Sequence, residues 1–134
     1  MAQSNYTIKS RETASRGVRP AVIEIEQRED VCVLRCQGSL LAGLDADYVQ
    51  AKIEDIRQLQ CTRVLADFHD VPAIGSTGIA FIVGVYTIIV KTAGGRFVLT
   101  GAAPLVQRVL DITKLSTIIP VAADIGSGLA ALSV

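Results

Sequence analysis

Tryptophan is absent from this 134-residue chain, and three tyrosines and three phenylalanines are the only other aromatic rings. Such a scarcity leaves no stacking platform for nucleobases. Neither sign of charge is in excess, because 13 Lys plus Arg balance 13 Asp plus Glu. That balance argues against nucleic acid or an anionic membrane as the main partner, since both reward a basic surface. There is no G-x-x-x-x-G-K-[ST] or G-x-G-x-x-G phosphate loop, so no cofactor is expected. Cysteines number three, with no C-x-x-C or Cys/His metal spacing, and no metal site is expected. Cys32 and Cys36 lie four apart on an expected strand, about 13 Å between Cα atoms and too far for a disulfide. The opening MAQSNYTIKSRE lacks the apolar core of a signal peptide. Buried reduced thiols and a cytoplasmic location are the expectation.

What the chain does have is apolar residues, half of the total. That is enough for one domain burying roughly two-thirds of its unfolded surface. Residues 1–20 carry Lys9, Arg11, Arg16 and Arg19 against Glu12 and show no sustained period. They read as a flexible basic N-terminal arm, with a single domain over 21–134. Val71 to Val90 is uncharged, but Pro72, Gly75 and the Ser76-Thr77 pair break its first third. The helical remainder, about 22 Å long, falls short of a hydrocarbon core of roughly 30 Å, so no membrane insertion is expected.

The alternation Val22-Ile23-Glu24-Ile25-Glu26 predicts a strand, and Val31 to Gln37 a second, joined as a hairpin through Arg28-Glu29-Asp30. Asp45 is placed to cap a helix whose Tyr48, Val49, Ile53, Ile56 and Leu59 recur at three- and four-residue steps. Strands are expected at 63–68, 96–100 and 118–121. Helices are expected at 76–93, stopped by Gly94-Gly95, from Pro104 to about Ile112, and from Asp124 through Leu132. Strands alternating with helices over short connections predict an α/β fold with an open, mostly parallel sheet.

The stretch VLADFHDVPAIGSTGIAFIVG places a polar elbow between two apolar blocks. Helix starts expose unsatisfied N–H groups and partial positive charge. Ser76 and Thr77 fall at that start, where three roles are open: helix cap, phosphoacceptor or nucleophile. His69, the only histidine, stands seven residues before Ser76, but there is no G-x-S-x-G elbow. Asp67, His69 and Asp70 lack a further spaced ligand for a metal. At 100° per residue Ser76, Ala80, Gly84, Thr87 and Lys91 share one face of small side chains. The apolar arc of this helix spans about 220°, wider than a one-sided surface helix needs. The small face suits either a protein interface or close packing within the domain, and the wide arc leaves room for a homodimer.

In their order these features resemble the STAS family, the domain of bacterial anti-sigma factor antagonists. The likeness covers about residues 20–134. It rests on Gly43-Leu44-Asp45-Ala46 before the first helix, on VLADF ending a strand, on GSTGIAFIVG opening the next helix, and on GGRFVLTGAAPLVQRVLDITKLSTIIPV behind it. In that family the elbow commonly reads Asp-Ser-Ser-Gly or Asp-Ser-Thr-Gly, and its first hydroxyl is phosphorylated by a cognate anti-sigma kinase. The resemblance implies Ser76 as phosphoacceptor, Thr77 as the second hydroxyl and Gly78 as the glycine, with Gly75 standing where the aspartate is usual. It implies a non-enzymatic switch that binds an anti-sigma factor and serine kinase when unphosphorylated. The partner surface would comprise Thr77, Gly78, Ala80, Gly84 and Thr87, flanked by Phe81, Asp70 and Ile74. A STAS scaffold or transporter-accessory subunit that is not phosphorylated is the alternative, and a small hydrolase built on Ser76 and His69 is a third.

Overall fold

A computed structural model of the chain describes residues 6–8, 22–28, 30–38 and 46–133. The alternating segment forms strand β2 (Val22–Arg28), with Ile23 and Ile25 buried and Glu24 and Glu26 half-buried on the other face. It pairs antiparallel with β3 (Val31–Gln37), setting Ile23 opposite Cys36 and Ile25 opposite Leu34. The expected hairpin is present. A further strand, β1 (Tyr6–Ile8), pairs antiparallel with the outer edge of β2. These three residues fall within the stretch expected to be an arm. The rest of that arm lies outside the described residues, as does the expected cap Asp45.

From β3 onward the neighbours are parallel: β3 with β4 (Arg63–Asp70), β4 with β5 (Arg96–Thr100), and β5 with β6 (Val121–Ala122). Strand order across the sheet is sequence order. Parallel crossovers share one hand, so a sheet that winds in a single direction stacks its crossover helices on a single face. Helices α1 (Ala46–Leu59), α2 (Ser76–Tyr86) and α3 (Pro104–Ile112) are those crossovers. They bury Val49, Ile56, Phe81, Val85, Val106 and Leu110 in one cluster with Leu34, Val64, Ala66 and Phe68 of the sheet. Helix α4 (Ile125–Ser133) follows the last strand and packs Leu132 against Leu65 and Val98 on the opposite face. Alternate residues of β4 therefore enter two different cores, which is why Val64, Leu65, Ala66 and Phe68 are all apolar.

Two expected elements change character. The helix read as 76–93 is α-helical to Tyr86 and continues as a π-helical segment, Thr87–Thr92. There Thr87 Oγ1 donates 2.9 Å to the Val83 carbonyl, a side-chain bond that competes with the helical ladder. The stop at Gly94 holds: its φ of +71° is a left-handed turn, and its N–H donates 3.1 Å to Val90. The strand expected at 118–121 is shortened and shifted to the two-residue β6, preceded by a 3₁₀ turn at Leu115–Thr117. Lys114, with φ 65°, turns the chain out of α3 just before it.

The cysteine expectation is overturned. Cys32 and Cys61 form a disulfide with Cα atoms 6.1 Å apart, and Cys36 alone is a free, buried thiol. The parallel register sets Cys32 beside Val64, and Cys61 precedes that residue by three positions, within bridging distance. A pairing between residues 29 positions apart could not be read from spacing. The thiol argument for a compartment falls with it. Burial, with Asp67 as a lesser cause, pushes the Cys36 thiol far above its ordinary value and leaves it unreactive.

Two outcomes are expected. Reducing the bridge, or replacing Cys61 by Ser, lowers stability by about 3–4 kcal/mol in urea unfolding, from the loop-closure entropy of a 29-residue separation. At Gly84 of α2 an added Cβ would lie 2.5 Å from Cδ1 of Ile53 in α1. Gly84→Leu therefore costs about 1–3 kcal/mol in the same assay.

Candidate functional site

Strand β4 ends at Asp70, and residues 71–75 lead into α2. Val71 and Ile74 turn inward and are buried, and Pro72 is exposed. Gly75 is the N-cap: it has φ −131° and ψ −153°, and its carbonyl accepts the Ile79 N–H at 2.9 Å. Ser76 and Thr77 thus stand inside the first turn, and the capping role considered for them is corrected. Glycine supplies no side chain, and α2 has neither a side-chain cap bond nor an acidic residue in its first turn. The helix start consequently keeps a positive polarity that neither a side-chain cap nor a first-turn carboxylate of α2 offsets. Ser76 is exposed there and Thr77 half-buried.

The rotation of α2 about its axis differs from the one drawn from periodicity. Its core-facing stripe is Gly78, Phe81, Ile82 and Val85, and its exposed stripe is Ser76, Ala80, Val83 and Thr87. Val83, one of the apolar residues of this helix, is 41% exposed. Three residues assigned to a partner surface are withdrawn from it: Phe81 is fully buried, Ile74 is 6% exposed, and Gly78 is buried on the core stripe. Gly84 is half-buried and spends its missing side chain on Ile53, the intradomain packing alternative. That close approach to α1 fixes the helix rotation, which a periodicity argument leaves free by about one residue. Asp70, Thr77, Ala80 and Thr87 keep surface that another molecule can touch.

The elbow carboxylates hold the single imidazole. His69 Nδ1 lies 3.1 Å from both carboxylate oxygens of Asp67, and Nε2 lies 3.3 Å from Asp70 Oδ1. The hydrogen bond to Asp67 raises the His69 pKa above its ordinary 6.5, aided by the Asp67 charge. With both ring nitrogens held by carboxylates, the imidazole is not offered to Ser76 as a base. Among the described residues no group of three His, Cys, Asp or Glu side chains is arranged to hold a metal ion. None of the described helices is long and apolar enough to cross a membrane.

A doubly covered sheet with an exposed serine at an uncapped helix start defines a class, and residues 22–128 match the STAS domain family. The chain belongs to that family. It is 28% identical over 100 residues to the anti-sigma F factor antagonist of Paenibacillus polymyxa, covering 74% of this chain and 84% of that one. Its fold is similar to that of an anti-sigma factor antagonist from Mycobacterium paratuberculosis, with TM-score 0.75, 18% identity, and coverage of 85% and 95% of the two chains. It is also similar to the Bacillus cell fate determinant SpoIIAA in its phosphorylated form, with TM-score 0.63, 18% identity, and coverage of 81% and 97%.

The imidazole gives a direct check. His69 should titrate above pH 6.5 by NMR, and Asp67→Asn should bring it back toward that value. Because the folded pKa is the higher one, the stabilising contribution is present below about pH 6.5 and lost as pH rises through the folded value.

Proposed function

We propose that this chain is an anti-sigma factor antagonist switched by phosphorylation of Ser76. In this reading the unmodified protein binds an anti-sigma factor that is also its serine kinase, and the phosphorylated protein lets it go. The observation that carries the proposal is Ser76 itself, exposed at the first position of an uncapped α2. The 28% identical relative, an anti-sigma F factor antagonist, supports the same reading. The docking surface is the exposed stripe of α2, namely Ser76, Ala80, Val83 and Thr87, with Thr77 and Asp70 beside it.

Phosphate adds about −1.5 to −2 charge near neutral pH. At the start of α2 that charge meets free backbone N–H groups, so the isolated domain tolerates it. Inside a contact built on alanine, valine and threonine the same charge has no counterion, and burying it costs several kcal/mol. One modification thus leaves the fold intact and removes the complex. Gly75 acts only through its backbone at this switch, since it contributes no carboxylate next to the acceptor.

The test is to incubate the protein with its kinase and ATP, map phosphate by mass spectrometry, and follow the complex by gel filtration. One phosphate on Ser76 is expected. Ser76→Ala should stay bound with ATP present, and Ser76→Asp should bind about 100-fold or more weakly. Stoichiometric phosphate persisting in Ser76→Ala would refute the site, and a complex indifferent to Ser76→Asp would favour a scaffold role.

A further inference from the structure

A cavity of about 410 Å³ opens at the carboxyl ends of β4 and β5, between the sheet and the start of α4. It lies on the sheet face opposite α2, and so apart from Ser76. In parallel sheets this end of the strands is the usual place for small ligands, and the volume falls in their range. Its polar lining comes from Asp67, His69, Thr100 and Asp124, and Ala123 and Ile125 add apolar wall.

On this face three adjacent strands present one polar row, with Arg35 in register beside Asp67 and Asp67 beside Thr100. The row before it is apolar, Val33, Leu65 and Val98. Thr100 is fully buried, and its Oγ1 has no hydrogen-bond partner among the described residues. The Thr100 methyl faces Gly128 of α4 so closely that a Cβ there would collide with it. Thr100 is among the residues lining the cavity. A lone buried hydroxyl is destabilising, and valine would fill the same space without it. Packing among the described residues leaves this oxygen unanswered.

The chemistry of that ligand follows from the charges. Asp67, 5% exposed, and Asp124 both offer acceptor oxygens. Asp124 also accepts the Ser127 N–H at 2.8 Å, which holds its carboxyl below the ordinary range and keeps it charged. His69 at the rim is bonded to Asp67 and offsets part of its charge, and Arg35, whose Nε is likewise buried without a partner among the described residues, is ion-paired with Glu26 at 3.3 Å and does not line the cavity. The carboxylate of Asp124 is the excess. An anion would be repelled despite the nearby helix start, whereas a donor-rich cation meets two carboxylates and one hydroxyl.

We infer that this cavity binds a small organic cation, a protonated primary amine on a compact apolar body. The ammonium donates to Asp67, Asp124 and Thr100 Oγ1, and the body rests on Ala123 and Ile125.

The test is an NMR titration of the full chain with 2-phenylethylammonium, and in parallel with 2-phenylethanol and 3-phenylpropionate, which share its apolar body. The ammonium should shift the amides of Gly101, Ile125 and Gly126 saturably, the alcohol should bind about tenfold more weakly, and the carboxylate should leave them unmoved. Asp124→Asn keeps a helix cap and should weaken the ammonium about tenfold. Thr100→Val should weaken it severalfold while leaving the melting temperature unchanged or raised, a combination that a merely structural hydroxyl would not give. Amides indifferent to the ammonium, an alcohol or carboxylate that matches it, or a Thr100→Val protein that melts lower and binds as before would overturn the inference.

Discussion

The segment Val64 to Phe68 is closed off from water on both sides, and the placement of every polar feature follows from that constraint. Val64, Ala66 and Phe68 enter the core built by the three crossover helices, and Leu65 enters the smaller core under α4. An interior strand with no wet face carries its polar side chains toward its ends. Polar chemistry is therefore confined to the strand's carboxyl end, where Asp67, His69 and Asp70 emerge. From there one short connection reaches Ser76. The sheet thus delivers polar groups to one end of the molecule on both of its faces.

At that end the helix start works through what it lacks. A capping aspartate or serine would answer one of the free N–H groups and place an oxygen over the helix start. Gly75 leaves those groups to whatever arrives. The serine that follows is free to change charge without disturbing a pre-existing side-chain bond. Stability of the helix rests instead on Phe81, Ile82 and Val85, which are buried without remainder. The division of labour is between a helix body that holds and a helix tip that is left chemically unfinished.

Much of this was legible in the residues. The alternation of Val22 to Glu26, the apolar run of β4, the three- and four-residue steps of α1 and the Gly94 stop all appear as anticipated, since each follows from local chemistry. The hydroxyl pair at the start of α2 was also visible. What escaped depends on neighbours that local patterns do not specify. Periodicity says that α2 has faces, but contact with Ile53 decides that Val83 faces outward and Phe81 inward. The Cys32–Cys61 bridge needs the parallel register between β3 and β4 before it can be drawn. The pairing of Asp67 with Thr100 needs that of β4 with β5. A signal for the latter was present, because a lone aspartate and a lone threonine interrupt two strands that are otherwise apolar and interior.

The sheet's strict neighbour-to-neighbour order bears on how the molecule comes into being. No strand waits for a distant partner, so pairing can advance along the chain with modest loop-closure cost at each step. Helix α4 is the last described element to be synthesised, and it supplies Leu132 and its neighbours to the second core. A nascent chain can thus display Ser76 on a nearly finished face while Leu65, Val98 and the buried threonine still meet solvent. The second core closes with the arrival of that one helix.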